Sequence, residues 1–367
     1  MTMPAITLPA RVLIVGTGLI GTSIALALRA KGTDVFLSDV DPGVARLAAD
    51  LGAGELVPDL RDAKGIADVA VLAMPPARVG QELMSAQDGA VADVYTDVAS
   101  VKVLPVAQAR ALGCDLDSYV PGHPLAGRER QGPAAAQADL FLGRTWALCP
   151  LPETSPDAVA AVTALAVACG AVPVSTDPET HDRWVALVSH APHLVAVAMA
   201  ARLAPSSVPG EALKLAGQGI RDVTRIAAGD TALWTQILAA NAGPVADVVA
   251  AVAQDLAAAA RSLALGAVAG TDVAGLLDQG QAGVARLPGK HGGQPRNFRL
   301  VQVVIADRPG ELARLFNAAG AAGVNIEDIR LEHSPGLPVG VAELSIRPDQ
   351  AGTLLDAMEA GGWPVRR

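Results

Sequence analysis

Residues 11–39 constrain the fold more tightly than any other stretch. Arg11-Val12-Leu13-Ile14-Val15 is a short β-branched run of the kind that forms a buried strand. Gly16-Thr17-Gly18-Leu19-Ile20-Gly21 follows, then a helical pattern that runs through Lys31 and stops at Gly32. A second strand, Val35-Phe36-Leu37-Ser38, ends at Asp39. In a strand–glycine loop–helix–strand unit the first glycines let the backbone turn tightly and approach a pyrophosphate. The third lets helix and strand pack closely, and the phosphates meet free N–H groups and the positive end of the helix dipole. Gly16, Gly18, Leu19, Ile20 and Gly21 are therefore candidate contacts for a dinucleotide. Asp39 is placed to accept hydrogen bonds from ribose hydroxyls and to repel a 2′-phosphate, which selects NAD over NADP. The glycine motif alone leaves a flavin open, but the sequence carries no second flavin signature.

The α/β alternation continues. Ala67–Ala73 reads as a strand leading to Met74-Pro75-Pro76, which puts Pro75 beside the cofactor. Ala92–Thr96 is another strand, running into Asp97-Val98-Ala99-Ser100-Val101-Lys102. Ser118–Pro121 leads to His123, and Thr145–Cys149 precedes an Ala/Val-rich helix to Gly170. The pattern predicts a Rossmann-type α/β domain over 1–177. Ligands in such sheets bind outside the carboxyl ends of the strands, so Ser100 and His123 are expected to be neighbours there. From about Pro178 the strand signal stops. Helices are expected over Trp184–Leu203, Gly210–Ala228, Ala232–Ala242, Val245–Leu265 and Asp272–Ala285, making an all-α domain at 178–285. Its Ala-rich faces exceed what one small domain uses for itself, which points to a homodimer through these helices. Residues 286–297 read as a Gly/Pro/basic linker. The order βαββαβ over 298–367, with a last short strand at Trp363–Arg366, is that of a small ferredoxin-like module.

A chain of 367 residues with 51% hydrophobic and only 3% aromatic side chains builds its cores from Ala, Val and Leu, and it is long enough for two or three domains. The formal charge of −9, without a basic run, argues against nucleic acid and leaves any anionic substrate to local arginines. Cys114, Cys149 and Cys169 are scattered without metal-ligand spacing, as suits a reducing cytoplasm. The N-terminal apolar stretch is broken by glycines and does not read as a signal peptide. Ala186–Ala201 is apolar but short for a membrane span and interrupted by His190, Pro192 and His193, so a buried helix is expected and no membrane.

His123 sits between Gly122 and Pro124, where the backbone is stiff, and an imidazole can take or give a proton near neutral pH. A lone turn histidine is more often bonded to backbone, so the weight falls on its surroundings. Ser189-His190-Ala191-Pro192-His193 puts two imidazoles within one turn. No carboxylate or cysteine has the spacing to complete a metal site with them, and no metal is expected. Arg221 and Arg225 lie four apart on one helix face. Arg225 is flanked by Thr224 and the apolar Ile226-Ala227, and a buried guanidinium there would mark a carboxylate or phosphate ligand.

Together GTGLIG at 16–21, DVASVK at 97–102, GHPLAGRE at 122–129, DLF at 139–141, SHAPH at 189–193 and RDVTRIA at 221–227 with Trp234 resemble the prephenate/arogenate dehydrogenase family of tyrosine biosynthesis. The resemblance covers nearly the whole chain. It departs from the family pattern at Gly132-Pro133, where an apolar residue usually follows the glycine, and at Thr231, where proline is common. It implies an NAD-dependent oxidative decarboxylation in which His123 accepts the proton of a ring hydroxyl while the carbinol hydride passes to NAD+. Ser100 would hydrogen-bond His123 and steady the nicotinamide. Arg225 would hold the ring carboxylate, and His193, or less readily His190, would meet the side-chain end. Glu129 and Trp234 would lie at the pocket. The C-terminal module looks like an ACT domain through Asp307-Arg308-Pro309-Gly310-Glu311-Leu312 and Gly323-Val324-Asn325-Ile326, which implies an amino-acid effector, tyrosine, held by Asp307, Pro309, Gly310 and Asn325. The rivals are arogenate as substrate, a catalytically silent NAD- and amino-acid-binding regulator, and a β-hydroxyacid dehydrogenase. The last would need a lysine base on the helical domain, where the sequence has no such motif.

Overall fold

The computed structural model describes residues 8–57, 59–60, 63–127, 130–204, 208–266, 272–287, 298–333 and 338–365. The β-branched run at 11–15 forms the centre of a sheet because both of its faces are covered: Val12, Leu13 and Ile14 are fully buried. The strands are β1 (Arg11–Val15), β2 (Asp34–Ser38), β3 (Glu55–Leu56), β4 (Ala67–Leu72), β5 (Ala92–Asp97) and β6 (Tyr119–Val120). All pair in parallel in the order β3-β2-β1-β4-β5-β6. The strand order reverses between β1 and β4, β2 and β3 being laid down on one side and β4 to β6 on the other, which opens a crevice at their carboxyl ends. The helices of this layer are α1 (Leu19–Arg29), α2 (Pro42–Asp50), α3 (Pro76–Asp88) and α4 (Val103–Leu112). One face of the sheet packs Val12 and Ile14 against Ile24 and Leu28 of α1. The other packs Leu13 and Leu72 against Val79 and Leu83 of α3.

A second, three-stranded sheet stands beside the first: β7 (Gly122–Pro124), β8 (Thr145–Leu148) and β9 (Val172–Ser175). His123 is therefore a strand residue, paired with Ala147 across an antiparallel ladder, and not a turn residue after a strand end. The helix α5 (Pro156–Ala168) connects β8 to β9, which pair in parallel.

The helical region opens earlier than the apolar pattern indicates. Asp177 accepts a hydrogen bond from the Thr180 amide at 2.8 Å, Pro178 occupies the first turn, and α6 spans Pro178–Val185. It passes through a π-helical turn at Ala186–His190 into α7 (Ala191–Ala200). The single helix expected over 210–228 is broken into α8 (Gly210–Leu213), α9 (Gln218–Thr224) and a 3-10 turn at Arg225–Ala228. None of the three has a buried residue to hold a longer helix straight. Asp230 caps α10 (Thr231–Ala240), followed by α11 (Ala242–Ala264) and α12 (Asp272–Val284).

The chain forms two compact units, 1–252 and 253–367, so the expected boundary at 177/178 falls within the first. Residues 288–297 of the expected linker lie outside the described residues. In the second unit β10 (Arg299–Ala306), α13 (Glu311–Ala321), β11 (Ile326–His333), β12 (Val339–Ile346) and α14 (Ala351–Ala360) follow in chain order. The strands are antiparallel in the order β10-β12-β11. The expected last strand at 363–366 reduces to one bridge between Val365 and Val303. Here Glu311 is buried and accepts from Arg308 at 3.0 Å, from Arg314, and from the Trp363 indole at 2.8 Å. Arg314, then Trp363 and Arg308, hold its carboxyl down at about 2, against desolvation that pushes it up.

The first glycine of the loop after β1 is constrained in both conformation and space. Gly16 has φ +99°, and a Cβ there would lie 2.2 Å from the Ala73 carbonyl oxygen. Strain of this kind costs about 1–3 kcal/mol. Gly16→Ala is expected to lower the thermal midpoint by several degrees and to weaken NAD+ binding at least tenfold, measured by calorimetry. Unchanged values for both would show that the loop is not built around this approach.

Candidate active site

The crevice at the carboxyl ends of β1 and β4 fits a dinucleotide on three observations. Gly18 precedes α1 with no side-chain cap on the helix N-terminus, and a Cβ there would meet nothing within 4 Å. The first turn of α1 carries no acidic residue. Asp39 ends β2 with one carboxylate oxygen on the Thr17 amide at 2.6 Å and the Thr17 hydroxyl at 2.9 Å, and the other on the Asp41 amide at 3.0 Å. Asp39 thus ties the glycine loop to the second strand and keeps further lone pairs for a hydroxyl donor. Pro75 is exposed at the start of α3, just after β4 on the same sheet edge.

His123 is half-buried, and its Nδ1 lies 3.0 Å from His181 Nε2, with the rings edge to face. His181 Nδ1 lies 2.7 Å from Asp182 Oδ1. The Asp182 carboxylate also accepts the amides of Lys102 at 2.8 Å and Val103 at 2.9 Å, which are the open N-terminus of α4. His181 and Asp182 are each only 2% exposed. Sequence reasoning missed both. The signal was present in Asp177-Pro178, a helix start that places 181 and 182 one turn into α6. His123 Nε2 has no hydrogen-bond partner among the described residues.

Under His123 lies a fully buried ion pair. Lys102 donates its ammonium to Asp97 and to the Gly122 carbonyl, one residue before His123. Asp97 also accepts the Tyr119 hydroxyl at 2.6 Å and the Ala99 amide at 2.8 Å. Burial, followed by Asp97, pushes the Tyr119 phenol well above its usual range. The ends of β5 and β6 and the start of β7 are thereby fastened to one network. Ser100 follows β5 at the same edge. Its hydroxyl makes no hydrogen bond among the described residues, so the expected bond to His123 is not formed, and His123 Nδ1 meets His181.

The second cluster continues from Asp182. Asn241 donates to the Asp182 carbonyl at 2.8 Å and reaches His190 Nδ1 at 3.1 Å. His190 meets Trp234 edge-on, and His193 stacks flat on the same indole at 3.5 Å between ring centroids. A Cβ on Gly229 would fall 2.4 Å from the Trp234 indole nitrogen, so glycine is needed for the stack to close. His193 is hydrogen-bonded to the backbone of Ile226, which places the stack one residue from Arg225. Arg225 itself is exposed rather than buried and has no ion pair among the described residues, and no residue of its 3-10 turn is buried. Glu129 lies outside the described residues. No cluster of three or more His, Cys, Asp or Glu able to hold a metal is found among the described residues. In the second unit Asn325 lines a cleft of about 450 Å3 with Phe316, Val324 and Ile326, while Asp307, Pro309 and Gly310 are not in its wall.

Burial dominates the histidine electrostatics. It drives His123 well below 6.5, assisted by His181, Lys102 and His190, and lowers His190 to about 4 and His193 in the same direction. All three rings are therefore neutral at pH 7, and a neutral His123 can accept a proton. Stability from folded-state values held below 6.5 is present above pH 6.5 and is lost as the pH falls toward those values, for His190 over the window from 6.5 to about 4. By pH 5 His190 alone should cost about 2 kcal/mol. Urea unfolding at pH 7 and pH 5 should show a smaller acid loss in His190→Asn than in the wild type. Equal losses would mean that His190 is not held neutral.

A family sequence model described as prephenate dehydrogenase, nucleotide-binding domain, matches residues 24–175, and one described as prephenate dehydrogenase, dimerization domain, matches 177–270. The chain is 39% identical over 362 residues to a protein described as probable prephenate dehydrogenase NovF from Streptomyces niveus, covering 96% of this chain and 98% of that one. Among solved structures, prephenate dehydrogenase from A. aeolicus in complex with hydroxyphenyl propionate and NAD+ superposes with a TM-score of 0.67 at 27% identity, over 77% of this chain and 99% of that one. Arogenate dehydrogenase from Synechocystis superposes at 0.63 and 26% identity, over 75% and 98%.

Proposed function

The chain belongs to the prephenate dehydrogenase family, and from that premise we propose that it converts prephenate to 4-hydroxyphenylpyruvate and carbon dioxide with His123 Nε2 as the base. The carrying observation is the neutral His123, held through Nδ1 and open at Nε2, on the strand next to the carboxyl edge of the dinucleotide-binding sheet. Bound NAD+ supplies the hydride acceptor. His123 takes the ring hydroxyl proton as the carbinol C–H gives up its hydride. The bond to the ring carboxylate then breaks, carbon dioxide leaves, and aromatisation draws the reaction forward. Ser100 lies at the same edge, free to donate to the substrate hydroxyl or the nicotinamide amide. Arg225 presents an uncommitted guanidinium for the ring carboxylate. The His193–Trp234 stack forms a wall for the side-chain end.

Exposed Leu215, Val223, Ile226 and Leu233 around Arg225 are the faces a second copy would cover, which supports a homodimer through the helical region. That burial would also desolvate Arg225 and strengthen its hold on a carboxylate. The unpaired cysteines and the small polar substrate suit a cytoplasmic enzyme. Residues 298–367 form an ACT-like regulatory module in this reading. Tyrosine is its effector, bound near Asn325 and the Asp307–Gly310 turn.

Prephenate and arogenate, each offered with NAD+ and with NADP+, in the presence and absence of tyrosine, are the direct assay. Prephenate with NAD+ should give the highest kcat/KM, and tyrosine should lower the rate. An exclusive preference for arogenate would overturn the substrate assignment. His123→Asn should reduce kcat by at least 1000-fold while NAD+ binding stays within about threefold, since loss of general-base and orientation effects together is of that order. The acidic limb of the wild-type kcat/KM profile should lie below pH 6.5. A limb above pH 7 would contradict a buried neutral base.

A further inference from the structure

We infer that Asp182, seated on the N-terminus of α4, sets the tautomer of His123 through His181, and that this chain of three groups makes Nε2 rather than Nδ1 the proton acceptor. The inference rests on the assignment of His123 as the base.

The donor count gives each proton its place. Both oxygens of Asp182 accept backbone N–H bonds from Lys102 and Val103, and a helix N-terminus favours negative charge there. A carboxylate so placed can only accept, so His181 carries its proton on Nδ1 and donates it to Asp182. With one proton on the ring, His181 Nε2 is then a bare lone pair. It lies 3.0 Å from His123 Nδ1, and two lone pairs cannot face each other at that distance, so the proton is on His123 Nδ1. The lone pair of His123 is left on Nε2, the nitrogen without a partner among the described residues.

When Nε2 takes the substrate proton, His123 becomes a cation. Its Nδ1–H is already bound to a neutral imidazole, with the Asp182 carboxylate one ring further on. The opposing charge is Lys102, which is compensated by Asp97 and fixed by Gly122 and so cannot swing toward the ring. His190, the remaining ionisable neighbour among the described residues, accepts at Nδ1 from Asn241 and is neutral above about pH 4. Tyr119 faces Asp97 and keeps its proton. Asp182 thus supplies the negative charge along the line of proton transfer. His181 and Asp182 are positioning residues: neither reaches the substrate.

Three substitutions separate tautomer control from packing. In Asp182→Asn the amide oxygen keeps the Val103 amide, while the NH2 takes the place of the oxygen that met both the Lys102 amide and His181, and turns to His181 Nδ1. That drives the His181 proton to Nε2 and the His123 proton onto the nitrogen that should be bare. His181→Gln can keep the polarity, with its carbonyl toward His123 and its NH2 toward Asp182. His181→Leu removes both bonds. We expect kcat to fall at least 100-fold in Asp182→Asn and His181→Leu, and less than tenfold in His181→Gln. Substrate KM and NAD+ affinity should stay within about threefold in all three, and the acidic limb of kcat/KM should shift in the two inactive variants only. Wild-type kcat and limb in His181→Leu or Asp182→Asn would overturn the inference, as would His181→Gln falling as far as His181→Leu with NAD+ binding intact. His123→Asn, assayed alongside, separates the two claims. If it keeps turnover, the base assignment itself fails. If it is inactive while the His181 and Asp182 variants are normal, only the tautomer chain fails.

Discussion

The carboxylate of Asp182 on the amides of Lys102 and Val103 is the contact on which the site depends. It is one interaction with three consequences. It satisfies the N-terminus of α4, which has no side-chain cap of its own. It anchors the start of the long helical stretch from 178 to the sheet region, and through the Asp182 carbonyl it also holds Asn241. It fixes the far end of the histidine pair that supports His123. A carboxylate at 2% exposure is tolerable only because its acceptor capacity is filled by N–H donors and a helix dipole.

The second constraint is the Lys102–Asp97 pair beneath His123. Burying two charges costs several kcal/mol per ion before their attraction is counted, so such a pair adds little to net stability. Removing one partner alone would cost about 3–5 kcal/mol, which makes the arrangement all-or-none. What it secures is position: Lys102 holds the Gly122 carbonyl, Asp97 holds Tyr119, and the strand carrying His123 cannot slide against the ends of β5 and β6. His123 is thereby held by its backbone from one side and by its ring from the other.

The parallel sheet and its dinucleotide loop were legible because each depends on a local pattern. A β-branched run, glycines at fixed offsets and an acid after the next strand are all contiguous in the chain. His123, His193 and Trp234 were legible as candidates, and the structure brings the latter two into one stack. The sequence did not disclose the partners of His123, because the support is non-local: His181 is 58 residues away, and Asp182 meets an amide 80 residues distant. The apolar count over 184–203 also drew the helix start too late, since it ignores a polar first turn that earns its place by capping rather than by burial. Arg225 was read as buried from its apolar neighbours, but Ile226 is itself 46% exposed, so those neighbours mark a surface. The 210–228 segment shows the same limit: helical propensity with no fully buried residue to fix it gives short, broken turns.

The central claim is that His123 receives the hydroxyl proton at Nε2 while His181 holds Nδ1. A crystal structure of the protein with NAD+ and 3-(4-hydroxyphenyl)propionate tests it most directly. The account predicts the ligand hydroxyl at about 2.6–3.2 Å from His123 Nε2, with the Nδ1–His181–Asp182 chain unbroken. A hydroxyl bound away from His123, or a His123 ring that has left His181 to meet it through Nδ1, would contradict the account.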